Sequence, residues 1–181
     1  MYKKKASMIH TKHSLRVRYG ETDAMKYVYY GNYAEYLEVA RVELFRSIGI
    51  SYDEIEKLGF WLPVSEYKIK YLKPAFYDEI LEIHTYVKKI PGVRIEFEYE
   101  IYNQSKQKIS EATVTLFFLN ATTNKVSKCP DFLMELIEKN WKEQVKNAEH
   151  REFTESWPFA PHLLRLLEEQ VLVATDRKSV V

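Results

Sequence analysis

The chain has 181 residues and is 46% hydrophobic, enough apolar mass for a packed core in one domain, or in one domain with an extension. Its 27 Lys and Arg nearly balance 26 Asp and Glu, so at a net charge of +1 there is no electrostatic case for nucleic acid or an anionic membrane as the main partner. The single cysteine, Cys129, excludes an intrachain disulfide and points to a cytoplasmic protein.

Residues 1–13 hold Lys3-Lys4-Lys5 with no apolar run behind it, so they read as a flexible polar lead-in and not as a signal peptide. Nowhere does the chain approach the roughly 18 apolar residues of a membrane span. Leu15, Val17 and Tyr19 alternate with Arg16 and Arg18, which predicts a half-buried strand. A lone acid, Asp23, and a run of tyrosines follow. Asn32, after Gly31, is expected as the N-cap of a long helix. Tyr33, Tyr36, Leu37, Ala40, Leu44 and Ile48 recur at steps of three and four and give that helix one apolar stripe over 33–48. Gly49 suits the left-handed residue past its end. Ser51 and Glu54 have capping-box spacing, so a second, short helix is predicted as far as Leu58, closed by Gly59.

The period then changes to two. Residues 61–72 read as a strand with Pro63 at its edge or start. After a break at Lys73-Pro74, Leu81, Ile83, Thr85 and Val87 face one way and Glu82, His84, Tyr86 and Lys88 the other. Pro91-Gly92 marks a turn. Ile95, Phe97, Tyr99 and Ile101 alternate with charged residues in the clearest strand pattern of the chain. A polar loop at 103–107 leads to a last strand at 108–119, and Asp131 is placed to cap a closing helix reaching Trp141. Residues 142–181 leave this pattern and are expected to be an extension, partly disordered or foreign to the natural protein. Strands joined by short turns imply an antiparallel sheet, and one large amphipathic helix must cover a face of it. The expected fold class is therefore α+β, a sheet wrapped around one long central helix, over residues 14–141.

Two readings of Asp23 stand side by side. It can cap a turn after Thr22. It also lies just ahead of a helix N-terminus, where unpaired N–H groups and the helix dipole favour negative charge. A carbonyl held there would be polarised, and the carboxylate could attack it or activate a water. No Gly-x-Ser-x-Gly elbow competes for the role.

The residues Arg18-Tyr19-x-Glu21-Thr22-Asp23, Val28-Tyr29-Tyr30-x-Asn32-Tyr33 and Tyr36-x-Glu38-x-Ala40-Arg41 resemble the hotdog-fold acyl-CoA thioesterases of the 4-hydroxybenzoyl-CoA thioesterase type. The similarity continues through Leu62-Pro63-Val64 and Lys70-Tyr71-x-x-Pro74-Ala75-x-Tyr77-Asp78 and covers roughly 14–140. The resemblance implies that Asp23 is the catalytic carboxylate and that the backbone N–H of Tyr30 meets the thioester carbonyl. Gly31 and Asn32 would shape the helix start; from the residues themselves, Tyr29 and Tyr33 are the tyrosines expected to contact substrate. It further implies that two chains pair, as a homodimer or homotetramer, with sites at their interface. The substrate would be an acyl-CoA or acyl-carrier thioester, with no cofactor beyond coenzyme A as part of that substrate and no metal. Two departures stand out: many relatives carry Gly at the Lys26 position and His at the Tyr30 position.

Other residues have plainer readings. Glu38 is a rival acid on the long helix, but its spacing to Arg41 suits a surface ion pair. The tyrosines are core or interface material, some of them suited to an acyl pocket. Arg94, with Lys88 or Lys89, could meet coenzyme A phosphates or simply form a solvated edge. His10 and His13 lack companions for a metal, and Cys129 reads as structural. The alternatives to a thioesterase are a non-catalytic acyl-binding module of the same fold and, less favoured for want of a histidine in the 20–41 motif, a dehydratase.

Overall fold

The computed structural model describes residues 8–141, so the expected extension at 142–181 lies outside the described residues. Within them run β1 (Ile9–Arg16), a single 3-10 turn (Tyr19–Glu21), α1 (Asn32–Ser47), α2 (Tyr52–Lys57), β2 (Phe60–Trp61), β3 (Val64–Tyr71), β4 (Ile80–Val87), β5 (Arg94–Tyr102), β6 (Lys108–Asn120) and β7 (Lys125–Ser127). A closing helix, α3, occupies 131–141. The strands are all antiparallel. β1 pairs with β4, β4 with β5 and β5 with β6, while β3 takes the opposite edge of β6. Helix α1 lies across the inner face of this curved sheet, against β1 and β4.

The period-two patterns decide which face is inward. Leu81, Ile83, Thr85 and Val87 on β4 and Ile95, Phe97, Tyr99 and Ile101 on β5 are all buried, as their alternation predicts. They meet Leu37, Ala40, Leu44 and Phe45 of α1, all at most 1% exposed. The Phe45 and Phe97 rings meet edge to face at 5.8 Å. Both glycine stops hold, with Gly49 at φ 99° and Gly59 at φ 87°. Ser51 and Glu54 form the expected reciprocal capping box on α2.

Four expectations are corrected. The first strand begins at Ile9, inside what the sequence marks as lead-in, because Ile9 is buried and pairs with Val87 although its neighbours are polar. That strand ends at Arg16: the Arg18 N–H bonds the Glu21 carboxylate at 2.7 Å instead of a neighbouring strand. The 61–72 strand is split at Leu62-Pro63 into β2 and β3, since proline has no N–H to give a ladder. Short β7 has no period to reveal it. Asn32 does not cap α1. The N-cap is Gly31, with no side-chain bond, and Asn32 turns back to donate to the Glu21 carbonyl at 2.7 Å.

Arg41 is the fourth correction. It makes no ion pair with Glu38 among the described residues. It is 6% exposed and turns inward, beside the Tyr52 and Tyr99 phenols. Its buried Nε, the Tyr99 hydroxyl and the Thr85 hydroxyl all lack a well-formed hydrogen bond among the described residues, and Thr85 faces Tyr99 across the β4–β5 pair.

Among the described residues no strand pairs with the outer edge of β3. Val64, Tyr67 and Tyr71 are exposed there, an apolar strand edge of the kind that pairs with another chain.

Candidate active site

Glu21 organises the segment ahead of α1. Its carboxylate is buried and receives the Arg18 N–H on Oε2 at 2.7 Å, the Arg18 Nε on Oε1 at 2.7 Å and the Tyr36 hydroxyl on Oε2 at 2.7 Å. Its backbone carbonyl accepts the Tyr29 N–H at 2.8 Å and Asn32 Nδ2 at 2.7 Å. Burial alone would raise this carboxyl. The hydrogen bonds from Tyr36 and Arg18 outweigh that and hold it below its ordinary value. Burial, then the bond to Glu21, pushes the Tyr36 phenol far up, so that hydroxyl stays a donor.

Between Glu21 and Tyr29 the chain makes a tight hairpin. Thr22 bridges Val28, and the Asp23 N–H donates to the Tyr27 carbonyl at 2.9 Å. Asp23 Oδ1 accepts the Met25 N–H at 2.8 Å and the Tyr27 N–H at 3.3 Å. Both readings of Asp23 are thus compatible: it caps this turn, and it does so ahead of the helix. Lys26 closes the hairpin at φ 64°, the left-handed region where glycine has no penalty. A neighbouring loop braces the hairpin, with the Val28 N–H on the Ala75 carbonyl at 2.9 Å and the Tyr27 and Phe76 rings edge to face at 5.4 Å.

The return limb leads into α1. The Tyr29 ring lies over Gly31, where an added Cβ would come within 2.8 Å of its Cε1. The Tyr30 carbonyl accepts the Tyr71 hydroxyl at 3.1 Å. The backbone N–H groups of Tyr30 and Gly31 bond no other backbone group among the described residues. They open a helix that no side chain caps, so the positive end of its dipole is available.

One chain therefore brings Asp23, Tyr29, Tyr30, Gly31 and Asn32 together around a helix start. It does not bring Tyr33 there as an exposed group. Tyr33 is 2% exposed, packed on Tyr71 at 5.1 Å, and burial first and then Tyr71 and Glu79 push its phenol up to about 12. Arg94 is absent from this cluster as well. Residue 17 is bonded to residues 78 and 79 at the start of β4, which pairs with the end of β5, whereas Arg94 opens β5. At the rise of a strand, that separates the two ends by about 27 Å.

Glu21 lies within the motif, and the sequence by itself assigns it no role. The available signal was its i, i+3 spacing to Arg18, which says nothing about burial. His10 contacts His84 at 3.2 Å on the outer sheet face, and among the described residues no group of three His, Cys, Asp or Glu could hold a metal ion. No described helix is long and apolar enough to cross a membrane.

Residues 17–137, which contain this cluster and the sheet beneath it, match the model of the thioesterase-like superfamily. The chain belongs to that superfamily. YneP of Bacillus subtilis is 37% identical over 103 residues, 57% of this chain and 75% of its own length. The Escherichia coli protein named acyl-CoA thioester hydrolase YbgC is 30% identical over 118 residues, 64% of this chain and 87% of its own length. A solved DHNA-CoA thioesterase from Staphylococcus aureus superposes with a TM-score of 0.70 at 31% identity, covering 78% of this chain and 95% of that one. The curved sheet around α1 is the hotdog fold, and this superfamily member is a thioester hydrolase.

Proposed function

We propose that the chain hydrolyses acyl-CoA or acyl-carrier thioesters, with Asp23 as nucleophile or general base. The thioester carbonyl sits at the start of α1, where the Tyr30 N–H, joined by that of Gly31, stabilises the developing oxyanion. The thiolate is a good leaving group: either the carboxylate attacks and expels it, and water then hydrolyses the mixed anhydride to free the acid and Asp23, or the carboxylate takes a proton from a water that attacks the carbonyl directly, and neither route calls for a metal or redox cofactor. The observation that carries this reading is an acid held in a rigid hairpin directly before an uncapped helix start. Membership of the superfamily supports it.

The working unit is a chain pair. The open β3 edge, with Val64, Tyr67 and Tyr71 exposed, supports pairing there. Arg94, remote from Asp23 in its own chain, meets the coenzyme A phosphates of the partner's site.

The test is hydrolysis of short, long and aromatic acyl-CoAs with thiol detection, with Asp23→Asn as control. Turnover abolished by Asp23→Asn supports the proposal. Tight binding of acyl-CoA with no turnover by the wild-type chain would mark a binding module instead.

A further inference from the structure

We infer that Glu21 is a positioning residue that holds the Asp23 hairpin in register with the N–H groups opening α1. The inference rests on the thioesterase reading above. Five bonds from three segments converge on this residue. Arg18 and Tyr36 hold its carboxylate, while Tyr29 and Asn32 hold its carbonyl. Arg18 precedes the hairpin, Tyr36 lies one turn into α1, and Tyr29 and Asn32 flank the two candidate donors. The hairpin's other ties are local bonds between residues 23 and 27 and the brace from Ala75 and Phe76, and none of these reaches α1. Its orientation relative to the helix is therefore set at its base, and Glu21 is that base.

A buried carboxylate is a costly way to build a turn unless every lone pair is used. Here the bonds span exactly the two parts whose separation decides carbonyl polarisation. Loosening that span by a fraction of an ångström weakens the oxyanion contact while leaving coenzyme A contacts alone. The effect therefore belongs in kcat and not in KM.

Glu21→Gln keeps the shape of the side chain and removes its charge. The expected result is a kcat lower by roughly 10- to 100-fold, with KM for acyl-CoA within about threefold of wild type. Tyr36→Phe removes one donor only and should move kcat in the same direction by less, so the question stays answerable even if Glu21→Gln folds poorly. A spectroscopic readout is independent of turnover. In Asp23→Asn protein holding intact benzoyl-CoA, the thioester carbonyl stretch should lie below its solution frequency, and adding Glu21→Gln should move it back.

An unchanged kcat in both single variants, or a carbonyl stretch unmoved by Glu21→Gln, overturns the positioning role. Full activity of Asp23→Asn would instead overturn the assignment of Asp23. In that case the kcat of the Glu21→Gln and Tyr36→Phe single variants still decides Glu21.

Discussion

The Tyr29 ring lies over Gly31 so closely that a β-carbon on residue 31 would stand 2.8 Å from Tyr29 Cε1. Gly31 has ordinary helical dihedrals, φ −66° and ψ −30°, so alanine meets no backbone strain there and restricts the unfolded chain. The conflict is with the ring alone, which is exposed enough to swing away. Gly31→Ala should keep the thermal midpoint at or slightly above wild type while raising KM several-fold. Thermal unfolding and steady-state kinetics on one preparation check both halves.

Asp23→Asn should separate chemistry from fold. An amide oxygen can still accept the Met25 and Tyr27 N–H groups that Oδ1 accepts now, so the hairpin survives. The carboxylate's attack or proton transfer does not. Turnover should fall by roughly 10²–10⁴-fold with the unfolding midpoint unchanged. A variant that unfolds early, or turns over normally, contradicts this.

Arg41 predicts an unusual stability result. The guanidinium is buried, makes no ion pair among the described residues and leaves Nε unbonded. Arg41→Met, which fills the space without the charge, should fall within about 1 kcal/mol of wild type or be more stable. Arg41→Ala loses the packing of the stem and should cost about 2–4 kcal/mol. Denaturant melts of the two variants discriminate; equal and large losses would show that the charge itself is needed.

Glu82 gives a signed pH dependence. The hydrogen bond from His84, then that from Lys106, depresses its carboxyl to about 2. A depressed acid stabilises the folded chain fully above its ordinary value near 4.5, and that contribution is lost as pH falls toward about 2. Glu82→Gln should flatten the acid limb of stability in that window and lower stability at neutral pH. Denaturant melts from pH 2 to pH 7 read the slope directly.

A composite site predicts complementation. Chains carrying Asp23→Asn and chains carrying Arg94→Ala should each be impaired, the second mainly in KM. Refolded together, they should yield mixed pairs with one intact site, detected as recovered turnover at low acyl-CoA. No recovery, with mixed pairs demonstrated, would place Arg94 outside the partner's site.

Much of the fold was legible because burial here obeys simple periods. Ile95, Phe97, Tyr99 and Ile101 read as an inward face from alternation alone, and Gly49, Gly59 and the Ser51–Glu54 box announced their helix ends. The site was half legible. Asp23 and Tyr30 stood out through the motif and through the physics of a helix start. Glu21 did not, because a carboxylate reads as surface until Arg18 and Tyr36 are folded around it. Asn32 misled for a related reason: its cap propensity is local, and a carbonyl eleven residues earlier in the chain took its amide instead.

The amino-acid order by itself determined the elements and the inward face of the sheet, because periodicity and turn chemistry act within a few residues. It also determined the spacing of seven positions from Asp23 to Tyr30. Tertiary structure alone decided what those residues are near. It folded Glu21 beneath the hairpin, turned Arg41 into the core and sank Tyr33 against Tyr71. It also set Arg94 at the far end of the sheet from Asp23. Each of these depends on which segments meet, and no local spacing encodes contacts that reach beyond a turn or two of chain, such as Glu21 with Tyr36 or Tyr33 with Tyr71.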